Sequence, residues 1–417
     1  MRGCVRWVRW VALVAILLGM AVSPGLASAS RPCSTRACQL GGMVRWTRGL
    51  PGSWVARPGI TGTAPAGGEA YAAMGRHIAA LGLGTTISAF SSRTGSAAWV
   101  TRLAGFPAGS QVVSVRVWPG QVTAGVDLPG KGRHPGTRRE VVLAAATGHQ
   151  VRSFPAAPFG GAVAVGAGNT VIVGNTAVTS YSDRTGKPLW RKTTGEVGQA
   201  WQVDEGDLYV TVSAGGYLKG GPVRALRKIN LRSGSESIIR PAGSSFSGVL
   251  SRAFRGVVIF TSARGATAYS ATSGARLWHR DGAVPENVDT AARIVYLTDG
   301  SALVGVDPQT GQKRAHVSGG SGAGPSGLYA IKGGVALGLD QGALGDAWGY
   351  GVASGQVLWT SRSLPWPHYF VDLSGIGGSA SPTGGGVLLA ICAQVGATAP
   401  GGSAPSCSRP ELAVVNR

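Results

Sequence analysis

Acidic residues are scarce in this sequence. Of its 417 residues, 18 are Asp or Glu and 39 are Lys or Arg. A calcium ion takes about six to eight oxygen ligands, usually with several carboxylates. The tightest acidic group, Asp204, Glu205 and Asp207, is explained by a solvated hairpin turn before the strand-like LYVTV. The sequence therefore predicts no metal site built from carboxylates.

Histidine and cysteine are also too few and too scattered for a catalytic or metal centre. None of the six His has metal-ligand spacing from another His or from a Cys. Gly-rich runs such as 319–324 lack the Lys-Ser/Thr ending of a phosphate loop, and no Gly-x-Ser-x-Gly sequence has the context of a serine hydrolase. We therefore predict no catalytic, cofactor-binding or metal-ligating residue, no cofactor and no enzyme activity.

Long stretches of helical periodicity are few. With 68 Gly, 23 Pro and short β-branched runs such as TVIVGN and GVVIF, the chain is predicted to be all-β with many turns.

The first 29 residues have the layout of a secretory signal peptide. Arg2, Arg6 and Arg9 precede the apolar run 11–22, and Ala27-Ser28-Ala29 is a small-residue cleavage site. The run is shorter than the roughly 20 residues of a spanning helix. We expect cleavage after Ala29 and a secreted protein of the bacterial cell envelope, with an uncleaved N-terminal anchor as the alternative.

Export changes how the cysteines are interpreted. Cys4 falls in the signal segment, which leaves Cys33, Cys38, Cys392 and Cys407, an even number outside the reducing cytosol. Of three connectivities we favour Cys392 with Cys407 and Cys33 with Cys38, because Cys392 and Cys407 flank a Gly/Ala/Pro/Ser loop between two apolar strands. Such a bridge would stabilise the fold by ~3 kcal/mol. Unpaired structural thiols are the alternative.

One pattern returns along the whole chain. Seven Ser/Thr-Gly pairs have an apolar residue five positions before the glycine, and four have a Trp four positions after it. An alternating strand that enters a tight turn, followed by a strand carrying a Trp, explains the pattern, because glycine tolerates the positive φ of such a turn. A lone hairpin is marginal in water, so the Trp side chains are predicted to pack against neighbouring repeats. The glycines are Gly95, Gly148, Gly186, Gly234, Gly274, Gly311 and Gly355, and the Trp residues are Trp99, Trp190, Trp278 and Trp359.

The two chain ends supply an eighth repeat. The C-terminal ELAVVNR has an apolar Val415 but no turn after it, whereas Gly42 and Trp46 have the glycine-to-Trp spacing without the preceding strand. We therefore predict that the N-terminal strand lies beside ELAVV, with Trp46 as a further packing residue. Closing a ring of sheets in this way leaves no exposed edge. The predicted domains are a signal peptide (1–29), an N-terminal segment (30–41) and one repeat domain (42–417).

The repeat resembles the PQQ-like (pyrroloquinoline-quinone-like) β-propeller repeat. That resemblance rests on the apolar strand, the Thr-Gly turn, the following Trp and polar turn residues such as Asp183, Asn230 and Asp307. It implies a single eight-bladed β-propeller of four-stranded antiparallel blades, the last closed by the N- and C-terminal strands. The family includes the propeller lipoprotein of outer-membrane β-barrel assembly and quinone-dependent alcohol dehydrogenases. The adjacent cysteine pair and calcium site of those dehydrogenases have no counterpart in this sequence.

Positive charge is the remaining functional signal. Removal of three signal-peptide Arg leaves 36 Lys and Arg against 18 acidic residues, a formal balance of +18. Two insertions concentrate it, and we interpret them either as solvated loops or as a basic face that binds anionic envelope material. The basic residues of the first insertion are Lys131, Arg133, Arg138 and Arg139, and those of the second are Lys219, Arg224, Arg227 and Lys228.

The preferred function is a non-catalytic binding or scaffold module for a protein or an anionic envelope polymer. The alternative is a quinone or other small-molecule site in the central funnel. We expect the protein to be a monomer. It is not expected to bind nucleic acid, because its basic residues are not interleaved with aromatic residues in a recognisable motif. The basic face permits peripheral contact with a membrane surface.

Overall fold

The chain forms a succession of short antiparallel β-sheets in the computed structural model. No helix occurs in the described ranges, as the turn-rich composition predicts, and accordingly none of these residues belongs to a helix long and apolar enough to cross a bilayer. The structure describes residues 44–49, 54–56, 63–65, 70–75, 77–130, 137–156, 161–164, 168–174, 176–193, 197–213, 222–243, 245–289, 292–299, 302–318, 327–332, 335–339, 347–351, 357–360, 369–371, 387–392, 406–407 and 410–415.

Three strands precede a series of seven four-stranded sheets. They are β1 (Val44–Gly49), β2 (Trp54–Ala56) and β3 (Thr63–Pro65). Sheet 1 contains β4 (Ala70–Met74), β5 (Ile78–Leu83), β6 (Thr86–Ser91) and β7 (Ala97–Arg102). Sheet 2 contains β8 (Gln111–Trp118), β9 (Gln121–Asp127), β10 (Arg138–Ala144) and β11 (Gln150–Ala156). Sheet 3 contains β12 (Gly161–Ala164), β13 (Asn169–Val173), β14 (Ala177–Ser182) and β15 (Pro188–Thr193).

The second half of the chain continues the series. Sheet 4 contains β16 (Val197–Asp204), β17 (Asp207–Ser213), β18 (Val223–Asn230) and β19 (Glu236–Ile239). Sheet 5 contains β20 (Val249–Phe254), β21 (Val257–Ser262), β22 (Gly265–Ser270) and β23 (Arg276–Asp281). Sheet 6 contains β24 (Val284–Asp289), β25 (Ile294–Asp299), β26 (Ala302–Val306) and β27 (Lys313–Ser318). Sheet 7 contains β28 (Gly327–Lys332), β29 (Val335–Leu339), β30 (Ala347–Gly351) and β31 (Val357–Thr360). The last strands are β32 (Tyr369–Val371), β33 (Val387–Cys392), β34 (Ser406–Cys407) and β35 (Pro410–Val415).

The chain ends share one further four-stranded sheet, the terminal sheet, in the order β1-β35-β33-β32. β1 pairs antiparallel with β35, so that Val44 lies opposite Val415 and Gly49 opposite Glu411. The N-terminal strand thus lies beside ELAVV, where the Gly42-to-Trp46 spacing predicts it. β2, β3 and β34 form a separate three-stranded sheet.

Each numbered sheet has two different ends. Its strands follow one another in chain order and are antiparallel, so the connections from first to second and from third to fourth strand lie at one end, the turn face. The connections from second to third strand and from sheet to sheet lie at the other end, the loop face. Neighbouring sheets contact each other turn face to turn face and loop face to loop face. At the loop face, the Val112 amide of sheet 2 donates to the Gly84 carbonyl of sheet 1. At the turn face, the Gly256 amide of sheet 5 donates to the Asp204 carboxylate of sheet 4.

The hydrophobic core lies between successive sheets. Leu143 of sheet 2 shares a cluster with Ile87 of sheet 1, and Val142 on the opposite face of the same strand packs with Ile172 of sheet 3. Further clusters join sheets 3 and 4, 4 and 5, and 5 and 6. Because these clusters cover both faces of sheets 2 to 5, inner strands such as β21 are apolar at successive positions rather than alternating.

Candidate functional site

The Ser/Thr-Gly turns are nearly identical from sheet to sheet. In the six turns that the structure describes, the glycine amide donates to the carbonyl four residues earlier, as Gly311 does to Asp307 at 2.9 Å and Gly234 to Asn230 at 2.8 Å. The Asp307 carboxylate also accepts from the amides of Gln309 and Thr310. Burial acts to raise the pKa of Asp307, but these hydrogen bonds favour the charged form and lower it.

Trp side chains join one sheet to the turn of the next. The indole nitrogen of Trp278 donates to the Pro308 carbonyl at 2.8 Å, and that of Trp99 to Ala145 at 2.8 Å. The rings lie over Gly311 and Gly148, where a Cβ atom would collide with them. Trp190 also lies against Gly234, but its buried indole nitrogen has no hydrogen-bond partner among the described residues. Trp46 is on β1 and Trp359 on β31, but their side chains lie outside the part of the chain that is described.

Arg152 occupies the Trp position in sheet 2. Its guanidinium donates to the carbonyls of Asp183 and Arg184 in the next turn, at 3.2 and 2.7 Å. The position four residues after the turn glycine can therefore hold either a guanidinium or an indole that donates to the next turn. In sheet 3 the capping position of Asn230 and Asp307 is filled by Ser182, which accepts from the Thr185 amide. Asp183 is one residue further along the turn, and its carboxylate accepts from Thr170 and Gln121.

A second docking contact is made six residues after the turn glycine. Arg280 donates to the Gly311 carbonyl at 3.1 Å and Thr101 to the Gly148 carbonyl at 2.8 Å. Arg48 of β1, six residues after Gly42, donates to the Gly95 carbonyl of sheet 1. The terminal sheet thus docks on sheet 1 with a contact that also joins sheets 1 to 2 and 5 to 6.

The basic residues of the predicted contact loop divide into two groups. Arg138 and Arg139 begin β10 instead of lying in the insertion. Arg138 forms an ion pair with Asp127 at 2.6 Å, and Arg139 donates to Ser153 at 2.7 Å. Lys131 and Arg133 lie outside the described residues.

The second basic segment is similar. Arg227 pairs with Glu236, and Lys228 pairs with Asp207 at 2.9 Å, so both are held within sheet 4. Arg224 is exposed on β18, and Lys219 lies outside the described residues.

The acidic group Asp204, Glu205 and Asp207 lies at the hairpin turn between β16 and β17, as the sequence indicates. Glu205 has a positive φ of 48° and lies 3.7 Å from Arg255, which occupies the corresponding turn of sheet 5. Partial burial raises the pKa of Asp204, opposed by the hydrogen bond from the Gly256 amide. Asp204 and Glu205 therefore contact sheet 5, whereas Asp207 pairs with Lys228 within sheet 4.

Two charged residues that the sequence analysis did not select, Arg116 and Glu140, lie near Trp201, a Trp outside the repeat position. We call these three residues the Arg116 cluster. The guanidinium carbon of Arg116, on β8, lies 5.2 Å from the centre of the Trp201 ring on β16. The two residues lie on the first strands of sheets 2 and 4. The first strand of sheet 3, between them in the chain, is only the short Gly161–Ala164. Desolvation lowers the pKa of Arg116, and the charge of Glu140 opposes that change.

Glu140 is a buried carboxyl group on β10. Its side chain is 1% exposed, and neither carboxyl oxygen has a hydrogen-bond partner among the residues that the structure describes. It lies over Gly125, where a Cβ atom would come within 3.0 Å of Oε1. Burial raises its pKa to about 7, although the positive charges of Arg116 and Arg138 act in the opposite direction.

Arg252 provides a useful comparison with Arg116. The two arginines occupy equivalent positions in their sheets. In sheet 2 the apolar turn residue Leu143 pairs with Val122, and Arg116 pairs with the next residue, Thr123. In sheet 5 Tyr269 pairs with Val258, and Arg252 pairs with the next residue, Ile259. The guanidinium of Arg252 donates to the carbonyls of Ser251 and Glu286 at 2.8 and 2.5 Å. Desolvation lowers the pKa of Arg252 as well. Of these two arginines, Arg252 has hydrogen-bond acceptors, and Arg116 has none among the residues that the structure describes.

The repeat pattern could not have revealed the Arg116 cluster. A signal was present, because Arg116 interrupts VSVRVW and Glu140 opens the apolar run EVVLA. A charged residue inside a run of β-branched residues indicates a buried charge, but its contacts depend on how separate sheets pack.

No group of three or more His, Cys, Asp or Glu side chains that could hold a metal ion is found within the described ranges. Of the predicted disulfide residues, Cys392 ends β33 and Cys407 lies in β34 opposite Trp54. Cys33 and Cys38 lie outside the described residues.

Residues 138–327 match a family model described as outer membrane protein assembly factor BamB, from the PQQ-like repeat group. Over these residues the sequence is similar to PQQ-like repeats. The match begins at β10 and ends at the start of β28, so it includes the docking contacts of sheets 2 to 6. No curated protein matches the sequence.

Several solved structures resemble the chain. BamB from Moraxella catarrhalis is 15% identical, with 72% of this chain and 94% of that chain covered and a TM-score of 0.42. The computationally designed Ika8 protein is 16% identical, with 76% and 90% covered and a TM-score of 0.50. Quinohemoprotein alcohol dehydrogenase ADHIIG from Pseudomonas putida HK5 is 12% identical, with 89% and 76% covered and a TM-score of 0.49. At such identities we carry no residue or activity over to the PQQ-like repeats of this chain.

Proposed function

We propose that the protein is a non-catalytic binding and scaffold module that holds a protein partner at the cell envelope. The description of the matching family, an outer membrane protein assembly factor, supports both the kind of partner and the location. We further propose that the terminal sheet and sheets 1 to 7 close into one eight-bladed propeller, and that the closed ring presents the partner site on its loop face.

The observation that carries this proposal is the contrast between the two faces. At the turn face, third and fourth strands are joined by segments of nearly constant length: 92–96, 145–149, 183–187, 231–235, 271–275, 307–312 and 352–356. At the loop face, second and third strands are joined by segments as short as 84–85 and as long as 128–137 and 214–222. The turn-face segments contact neighbouring sheets, and this constrains their length. Variation in segment length is therefore concentrated at the loop face, and partners usually bind such variable loops on a rigid scaffold.

Exposed apolar residues also support the loop face. Of the five exposed large apolar residues in the described part of the chain, Val249 and Val284 begin the first strands of sheets 5 and 6 and are 48% and 44% exposed, and the other three lie on fourth strands. Phe246, stacked on Phe260 at 4.8 Å, fixes the chain just before Val249. Protein interfaces commonly place such apolar groups within a polar rim.

Site-specific photocrosslinking tests the protein partner. A photoreactive residue at Arg224 or Arg264, both exposed at the loop face, should capture an envelope protein. The matched control is the exposed Arg232 in a turn-face segment, which should capture none. Equal capture at both faces, or capture at Arg232 alone, would contradict the assignment.

An anionic envelope polymer is the alternative partner. In that case replacing Lys131 and Arg133 with Ser should weaken low-salt retention on cell-wall material, because screened attraction supplies the contact. Arg138 and Arg139 are left unchanged, since both have partners within sheet 2. Unaltered retention would argue against this loop as the contact.

Export and the absence of dehydrogenase activity are tested separately. Fractionation and N-terminal sequencing should place a protein beginning at Ser30 in the envelope, and sedimentation should show a monomer. Incubation with pyrroloquinoline quinone and calcium should give neither bound-cofactor absorbance nor dye reduction with alcohols. Cofactor-dependent dye reduction would favour the small-molecule alternative.

A further inference from the structure

Arg116 is an arginine with unused hydrogen-bond donors. A guanidinium has five N–H donors and no acceptor, yet within the described part of the chain Arg116 makes a contact only with the face of Trp201, at 5.2 Å. The side chain is half-buried on the first strand of sheet 2. No Arg116 nitrogen is among the fully buried atoms without a partner, so the donors remain open to solvent. Partial removal of a cation from water weakens its hydration, and a guanidinium in this setting favours an anionic acceptor.

No residue in the described part of the chain supplies that acceptor. Glu140 interacts with Arg116 electrostatically, but no ion pair joins their described side chains, and the Glu140 oxygens are closed off from solvent. With a pKa raised to about 7, Glu140 is also partly neutral near pH 7. The nearby pair of Asp127 and Arg138 is already matched, at 2.6 Å.

The other repeats show that an unbonded arginine is not a requirement of the fold. Arg252 occupies the same position and donates to two backbone carbonyls. Elsewhere the position is filled by small, aliphatic or amide side chains. These residues are Ala73, Val163, Gln202, Asn287 and Ala330.

We propose that the free guanidinium of Arg116 binds a small oxyanion, a carboxylate or a phosphate, beside Trp201. Arginine suits this role because its planar fork matches two oxygens of a carboxylate or phosphate at once. Trp201 covers one face of the guanidinium, which leaves the edge donors for the anion. This site is independent of the proposed partner-binding role.

Calorimetric titration of the full mature chain with acetate and, separately, with inorganic phosphate tests the site, with chloride keeping the ionic strength constant. We expect saturable binding of at least one oxyanion at one site per chain, and the preferred arm identifies the ligand class. Arg116→Gln should abolish this binding. Arg252→Gln, the matched control, should lower the thermal midpoint without anion but leave anion affinity unchanged.

Two results would overturn the proposal: no saturable binding of either anion to the unaltered protein, or equal affinity in Arg116→Gln. If Arg116→Gln does not fold, crystals of the unaltered protein soaked in arsenate decide the question by anomalous scattering. An arsenic peak within hydrogen-bond distance of Arg116 supports the site. Arsenate bound only elsewhere, or not at all, refutes it.

Discussion

At the scale of single residues, the turn glycines carry two separate constraints. Gly311 has a φ of 68°, and a Cβ atom there would lie 2.6 Å from Cγ of Trp278. Gly84 has a φ of 57° but no atom within 4 Å of the same position. Replacing each glycine with alanine therefore separates the cost of a left-handed backbone, present at both sites, from the cost of displacing the Trp278 ring, present only at Gly311.

We predict that Gly84→Ala destabilises the protein by about 1 kcal/mol, from the left-handed backbone alone. Gly311→Ala should cost about 3 kcal/mol, because the Trp278 ring and its hydrogen bond to Pro308 must also shift. Urea unfolding of both variants measures the difference. Equal losses would show that the Trp contact contributes nothing.

Glu140 makes stability depend on pH in an unusual direction. Its pKa is about 7 in the folded protein against 4.5 as the reference value. A raised carboxyl pKa favours folding below pH 4.5, and that contribution is lost as pH rises through 7. The shift corresponds to about 3 kcal/mol.

Glu140→Gln should therefore remove this loss. Thermal or urea unfolding at several pH values should show the variant more stable than the parent at pH 8, with the advantage shrinking towards pH 4.5. Parallel pH profiles for parent and variant would mean that Glu140 is not desolvated in the fold.

Residue positions in the turns could be predicted from sequence, because spacing to a glycine is a local property. Trp99 and Trp278 lie where the spacing places them. Arg116 and Trp201 are far apart in sequence and meet only through the packing of different sheets. No local pattern reports such a contact.

At the scale of elements, the fourth strand of each sheet docks on the next sheet with different side chains. Arg152→Ala should cost about 1 to 2 kcal/mol, because it removes two hydrogen bonds to turn carbonyls. Arg191→Ala, in the exposed fourth-strand position of sheet 3, should change stability by less than about 0.5 kcal/mol. Chemical denaturation compares them, and an equal effect would exclude a docking role for Arg152.

The strands themselves were more predictable than the loops. Glycine-centred turns and β-branched runs mark strand positions, so the all-β class followed from sequence. The predicted end of the basic insertion was wrong, because Arg138 and Arg139 belong to β10. Arg138 and Arg139 extend β10 because Asp127 and Ser153 on the neighbouring strands supply partners for their charged side chains, a pairing that composition alone does not reveal.

At the scale of the whole molecule, cross-links between distant segments are still predictions. We expect a mass difference on reduction that corresponds to two disulfides, one of them between Cys392 and Cys407. Free thiols at these two cysteines would contradict that pairing. The strands that carry them belong to different sheets, so the bridge would tie the terminal sheet to the three-stranded sheet.

The joining of the chain ends was predictable because each end carries half of one repeat. The observed β1–β35 pairing and the Arg48 contact to Gly95 agree with that division. Closure of the whole ring depends on every sheet-to-sheet contact at once, which a repeat count does not determine.

Deleting residues 43–51, which contain β1, tests ring closure most directly, with deletion of residues 30–41 as the control. If the N-terminal strand completes the last blade, the first deletion abolishes cooperative thermal unfolding of the whole molecule, whereas the control melts like the parent. A stable product without β1 that still melts in one cooperative transition would contradict the closed ring.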